Sequence, residues 1–138
     1  MSKTQHFRDQ HVEMLNIAKK ISALLNPDNL AKDAKEVRTL LSSLFASLGI
    51  HLSMEDKIVY PLLLKNPDEK VRTMAQKFAA EMGSIGIVLK QFKEKWPNPT
   101  SIQQNPKVFI EETKGLFGAL SKRIESEDTQ LYNAFDKA

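Results

Sequence analysis

Cysteine is absent from the 138 residues, which excludes a disulfide framework, thiolate metal ligands and a cysteine nucleophile. No run of about 18 apolar residues stands out, so no segment reads as a bilayer span. The opening "MSKTQHFRDQ" lacks the apolar stretch of a secretory signal. Serine elbows, phosphate loops and dinucleotide fingerprints are missing as well, which argues against an enzyme built on those devices. So is a basic stripe interleaved with aromatics. The formal net charge of +3 is mild, and cations alternate with acids in "KDAKEVR" and "PDEKVR", as on solvated helix faces. The resulting expectation is a cytoplasmic protein that binds neither nucleic acid nor membrane.

What is present is helical periodicity, with 41% hydrophobic residues, enough for one core over residues 1–138. The first stripe runs Phe7, His11, Met14, Leu15, Ala18, Ile21, Leu25 and stops at "NPDN". The second, from about Asn29 to the mid-sixties, carries Val37, Leu40, Leu41, Leu44, Leu48, His51, Glu55, Ile58 and Leu62, with a kink expected at Pro61. "NPDEK" opens the third, with Asn66 as cap and Pro67 at the first helical position. It continues through Val71, Met74, Phe78, Met82, Ile85, Leu89, Phe92 and Trp96. "WPNPTSIQQNP" reads as a loop, and Asn105-Pro106 starts a fourth helix bearing Phe109, Leu116, Leu120, Arg123, Glu127, Leu131 and Phe135. Short connections between four such helices predict an all-α, up-down-up-down antiparallel four-helix bundle.

The chain also repeats itself. "LFASLGIHLSMEDKIVYPLL" from Leu44 lies over "LFGALSKRIESEDTQLYNAF" from Leu116 at an offset of 72. Glu55, Asp56 and Tyr60 meet Glu127, Asp128 and Tyr132, while His51 meets Arg123. The first and third helices align more weakly, with His11 over Met82. The bundle thus reads as two helical hairpins of one pattern.

Three stripes carry polar intruders: His11, His51 with Glu55, and Arg123 with Glu127. A charge among leucines costs several kcal/mol unless paired or bound to metal, so these groups need one another or an ion between them. His51 and Glu55 share a helix face at i, i+4. Together with His11 from the neighbouring helix they make a half-site of iron, zinc or manganese type. Two such halves facing each other are how di-iron carboxylate centres are assembled. Tyr60 and Tyr132 recur at one place in both repeats, positioned either to hydrogen-bond core carboxylates or to close the bundle end.

On His11 in "RDQHVEML", on "HLSMEDKIVYP" and on "RIESEDTQLY" the chain resembles the hemerythrin-like, or HHE cation-binding, family over nearly its whole length. That resemblance implies a four-helix bundle around a non-haem di-iron centre, in proteins that carry or sense oxygen, respond to nitric oxide or redox state, or bind iron for regulation. It implies His11, His51 and Glu55 as ligands of the first half and Glu127 as the carboxylate of the second. The chain departs from the family at Met82 and Arg123, which stand where the second half has histidines. A thioether is a soft, weak ligand for iron, and arginine stays protonated and cannot coordinate.

Two readings stay open. In one, the core is metal-free, and Arg123 engages both Glu55 and Glu127 in a non-catalytic structural or partner-binding module. In the other, His11, His51, Glu55 and Glu127 hold a single iron, zinc or manganese ion. A homo-oligomer, a protein partner or a small ligand near the core is compatible with either. A functional iron-binding sensor is the alternative from the same family, and an oxidase or peroxidase with a metal at both positions is the alternative from the enzyme class.

Overall fold

A computed structural model describes residues 3–138. Helix α1 spans Gln5–Ser22. Helix α2 runs over Pro27–Met54, passes through a π turn at Glu55–Val59 and ends with Tyr60–Leu63. Helix α3 covers Glu69–Lys95 and the short α4 covers Pro99–Gln104. Helix α5 runs over Pro106–Ser126, has its own π turn at Glu127–Leu131, and finishes with Tyr132–Lys137. The chain is all-helical, with no strand among the described residues.

Asparagine–proline pairs start three of these helices, because proline at the first helical position loses an amide that has no helical partner there. The Asn26 side chain accepts from the Asn29 N–H at 2.8 Å and Asn98 from that of Ser101 at 2.9 Å. Asn105 makes no such bond. The third start falls later than its sequence suggests. Asp68 caps α3 by accepting from Lys70, while Asn66 accepts from the Asp68 N–H one turn earlier. The segment "WPNPTSIQQNP" is not all loop either, since α4 forms within it and buries Ile102 completely.

Two apolar clusters divide the interior. One gathers Met14, Ile21, Leu41, Leu44, Leu89, Phe92, Phe109 and Leu116; the other gathers Phe7, Val59, Leu63, Phe78, Leu131 and Phe135. Along α1, α2 and α5 the buried ionisable residues fall between the two: His11, then His51 and Glu55, then Arg123 and Glu127. By length and composition alone, the stretch Pro27–Leu63, with a mean hydropathy of 1.2 over one 18-residue window, is apolar enough to cross a membrane, where the sequence reading expects no span. Its Val37, Leu41, Leu44 and Leu48 are nevertheless spent on the core.

The π turns decide which residues face inward. Each adds one residue to a helical turn, so the pattern beyond it slips by one. Val59 and Leu63 are therefore fully buried, whereas Ile58 and Leu62, expected on the stripe, are exposed. Pro61 does not account for the turn by itself, because Asn133 stands at its place in the second copy and the π turn recurs there. The register has a direct test. Leu63→Ala should cost about 2–5 kcal/mol in a denaturant titration, while Leu62→Ser, one residue away, should stay within about 0.5 kcal/mol of the parent.

Candidate metal centre

His51 and Glu55 project from the last α-helical turn of α2 and the start of its π turn, one turn apart. The π geometry does more in α5. Residues five apart on an α-helix point roughly 140° apart, but across a π turn they align. The Tyr132 N–H bonds the Glu127 carbonyl, and the Tyr132 hydroxyl lies 3.1 Å from Glu127 Oε1. The equivalent backbone bond joins Tyr60 to Glu55. The backbone turn is thus shared by both copies, and in the second it folds the Tyr132 hydroxyl back onto Glu127.

All four residues proposed as ligands from sequence converge. His11 Nε2 stands 3.0 Å from His51 Nε2 and 2.8 Å from Glu127 Oε1. His51 Nε2 is 3.5 Å from Glu127 Oε1 and 3.4 Å from Glu55 Oε1. His11, His51 and Glu127 each offer one ligand atom within 4.8 Å of the other two. Glu55 joins through His51 and through its Oε2, which accepts from the Tyr132 hydroxyl at 2.8 Å.

The outer ring nitrogens set the protonation of the inner ones. His11 Nδ1–H donates to Asp128 Oδ1 at 2.9 Å, and His51 Nδ1–H donates to Gln10 Oε1 at 2.7 Å. In neutral imidazoles both Nε2 lone pairs then face inward, toward each other and toward a carboxylate. Such a grouping is repulsive until a cation or an added proton enters it. Two of its members, Asp128 and Gln10, were not assigned this role from sequence. Asp128 reads as one more solvated acid of "ESED", and nothing in Gln10 itself distinguishes it beyond standing next to His11.

The charges confirm the need. Burial alone would lower the pKa of His51, but hydrogen bonds to Glu127 and Glu55 outweigh it and push the value up to about 9. Burial would raise Glu127; hydrogen bonds from both histidines and the charge of Arg123 instead hold it well below the usual carboxylate range. Glu55 is raised by burial and by the neighbouring Glu127 charge. Its Oε1 is one of the few buried side-chain oxygens or nitrogens without a hydrogen-bond partner among the described residues.

Arg123 lies on the other side of Glu127. Its Nε donates to Glu127 Oε2 at 2.9 Å, its Nη2 donates to the Tyr60 hydroxyl at 2.7 Å, and its guanidinium carbon sits 4.7 Å from the centre of the Phe78 ring. This corrects the expectation that Arg123 bridges both carboxylates: it pairs with Glu127, and the Tyr132 hydroxyl bonds Glu55 in its stead. Met82 lines, with His11, His51, Leu48, Leu120 and Arg123, a mostly apolar cavity that admits a water-sized sphere over about 30 Å³. Tyr60 and Tyr132 both point to the polar layer and neither merely closes the bundle end.

An all-helical fold with a buried histidine–carboxylate cluster defines a protein with a candidate metal centre. Over residues 2–135 the sequence matches the Hemerythrin HHE cation binding domain, and the chain belongs to that family. No curated protein and no solved structure matches it.

Two outcomes follow for the metal-stripped protein. Removing the guanidinium by Arg123→Ala leaves Glu127 Oε2 buried and unpaired, and should lower stability by about 3–5 kcal/mol in urea. His51 has a folded-state pKa above its unfolded value of 6.5, so the stability it contributes is complete below that pH. It should be lost as pH rises through about 9, which a series of melts between neutral and alkaline pH will display.

Proposed function

We propose that this chain is a non-catalytic binding or sensing module built as an antiparallel bundle of four long helices in two repeated hairpins. Its core holds one metal ion through His11, His51 and Glu127, with Glu55 alongside. The observation that carries the reading is the pair of Nε2 atoms, 3.0 Å apart and turned inward by the bonds of the outer nitrogens to Asp128 and Gln10. Imidazole and carboxylate donors suit iron, zinc or manganese, and the family supports iron. Glu55 Oε1, 3.4 Å from His51 Nε2 and without a hydrogen bond among the described residues, supplies a further oxygen. Charge supports the same conclusion. Glu55, Glu127 and Asp128 against Arg123 leave two negative charges around the imidazoles, which one divalent ion balances.

A second ion finds no comparable place. The far oxygen of Glu127 is occupied by Arg123, and Met82 lies on the cavity wall. The ion would supply a fixed positive charge beside that apolar cavity, whose volume fits a diatomic ligand better than an organic substrate. Oxygen or nitric oxide sensing is the form of the function this favours over oxidase or peroxidase chemistry, which needs metal at both positions.

Metal analysis after anaerobic loading with ferrous iron or zinc should find one ion per chain. His51→Ala should abolish that binding. Asp128→Asn, which keeps the shape but removes the charge that orients His11, should weaken it about 10–100-fold in a competition titration. A stoichiometry of zero or two at saturation overturns the single-ion reading.

A further inference from the structure

The Tyr132 hydroxyl has one proton to donate and four polar neighbours. It stands 2.8 Å from Glu55 Oε2, 3.1 Å from Glu127 Oε1, 3.1 Å from His11 Nε2 and 3.0 Å from His51 Nε2. The ring is completely buried, wedged against His11 at a centroid distance of 5.2 Å and against Phe7 at 5.7 Å. A structural tyrosine in a hydrogen-bonded core finds one acceptor for its proton and one or two donors for its oxygen. With the outer nitrogens of neutral imidazoles carrying their protons, all four neighbours present lone pairs or negative charge, and a single O–H cannot serve them all.

The spacing has another reading. His11 Nε2, His51 Nε2, Glu127 Oε1 and Tyr132 Oη form a tetrahedron whose six edges are 3.0, 2.8, 3.5, 3.1, 3.0 and 3.1 Å. Four donors about 2.0–2.2 Å from one ion and all adjacent to one another form a tetrahedral shell with edges of roughly 3.3–3.6 Å. The six edges average about 3.1 Å, which sets the centre of the tetrahedron roughly 1.9 Å from its corners, a shell contracted by only a few tenths of an ångström from the one an ion needs; the hydroxyl stands as its fourth corner beside the other three donors.

We propose that Tyr132 is itself a ligand of the ion, binding as a phenolate. The inference rests on the single-ion reading above and adds to it a hard anionic oxygen, the donor type that ferric iron favours. On binding, the O–H bond breaks and a bond from oxygen to the ion forms, while the proton passes to Glu55 Oε2 along the existing 2.8 Å hydrogen bond. The π turn at Glu127–Leu131 is what makes this possible, since it alone brings residue 132 over the face of residue 127. Tyr60, at the matching place of the first copy, is committed to Arg123 and takes no part.

The chain has two tyrosines, which makes the test clean. The purified protein is loaded with ferrous iron under argon, oxidised with ferricyanide, freed of excess reagent, and measured for bound iron and for visible absorption and resonance Raman scattering. The expected result is one ferric ion per chain with a phenolate-to-iron charge-transfer band and tyrosinate ring modes in enhancement. The band should persist in Tyr60→Phe, where Tyr132 is the sole phenol left, and vanish in Tyr132→Phe with iron still bound. If Tyr132→Phe does not fold, the Tyr60→Phe spectrum decides alone. Iron bound without the band, in the parent or in Tyr60→Phe, overturns the role of Tyr132 and leaves the single-ion reading standing. No bound iron or zinc overturns both.

Discussion

Glu127 is the residue on which the interior depends, because its two oxygens face different problems. Oε1 lies among imidazoles and a phenol, and Oε2 lies against a guanidinium. A carboxylate only 2% exposed costs several kcal/mol to desolvate, and its partners must return that through close geometry. The guanidinium does so permanently, being charged at any pH a protein meets. The imidazoles do so conditionally, through a proton on His51 or through an ion in the cluster. One side of Glu127 is therefore fixed in charge and the other is adjustable.

That asymmetry is written onto a nearly symmetric frame. Both copies of the repeat carry a glutamate at the start of a π turn and a tyrosine five residues later, and in both the tyrosine N–H bonds the carbonyl of that glutamate. The backbone is the same; the side chain four residues before the glutamate differs. Histidine there, in the first copy, points its Nε2 at the cluster. Arginine there, in the second, fills the corresponding space with its own cation and recruits Tyr60 as an acceptor. The two tyrosines follow from this difference: one hydroxyl is spent on arginine, and the other is left among the metal-type donors.

The composition of the polar layer was legible in the sequence because polar residues on apolar stripes need a reason, and His11, His51, Glu55 and Glu127 stand at matching depth. The length and order of the long helices were legible from the same periodicity. Two things were not. Ile58 and Leu62 continue the 3.6-residue pattern that a π turn interrupts, and no residue type marks such a turn: Pro61 occupies its end in one copy and Asn133 in the other. Asp128 and Gln10 were invisible for a different reason. Each is adjacent in sequence to a ligand candidate yet acts on a histidine's outer nitrogen, and an acid or amide on a solvated face has no periodic signature. The pairing of Arg123 with Glu55, expected from charge alone, failed because Glu55 takes the Tyr132 hydroxyl while Arg123 is engaged by Glu127 and the Tyr60 hydroxyl.

Asp128 also changes the electrostatic case against a metal. Counting only Glu55, Glu127 and Arg123, the cluster holds one surplus negative charge, and a divalent ion overshoots it. Asp128 Oδ1 sits 2.9 Å from His11 Nδ1 with its side chain 34% exposed, so part of its charge is screened but its dipolar grip on the ring is not. Through that ring it fixes the imidazole's orientation and turns Nε2 toward the cluster. On the single-ion reading proposed above, Arg123 would act on an ion only across Glu127, whose Oε2 it holds while Oε1 faces the imidazoles. The guanidinium would then weaken metal binding less than its unit charge suggests. It would also leave no second position of the same kind, and so no place for chemistry that requires two ions working together.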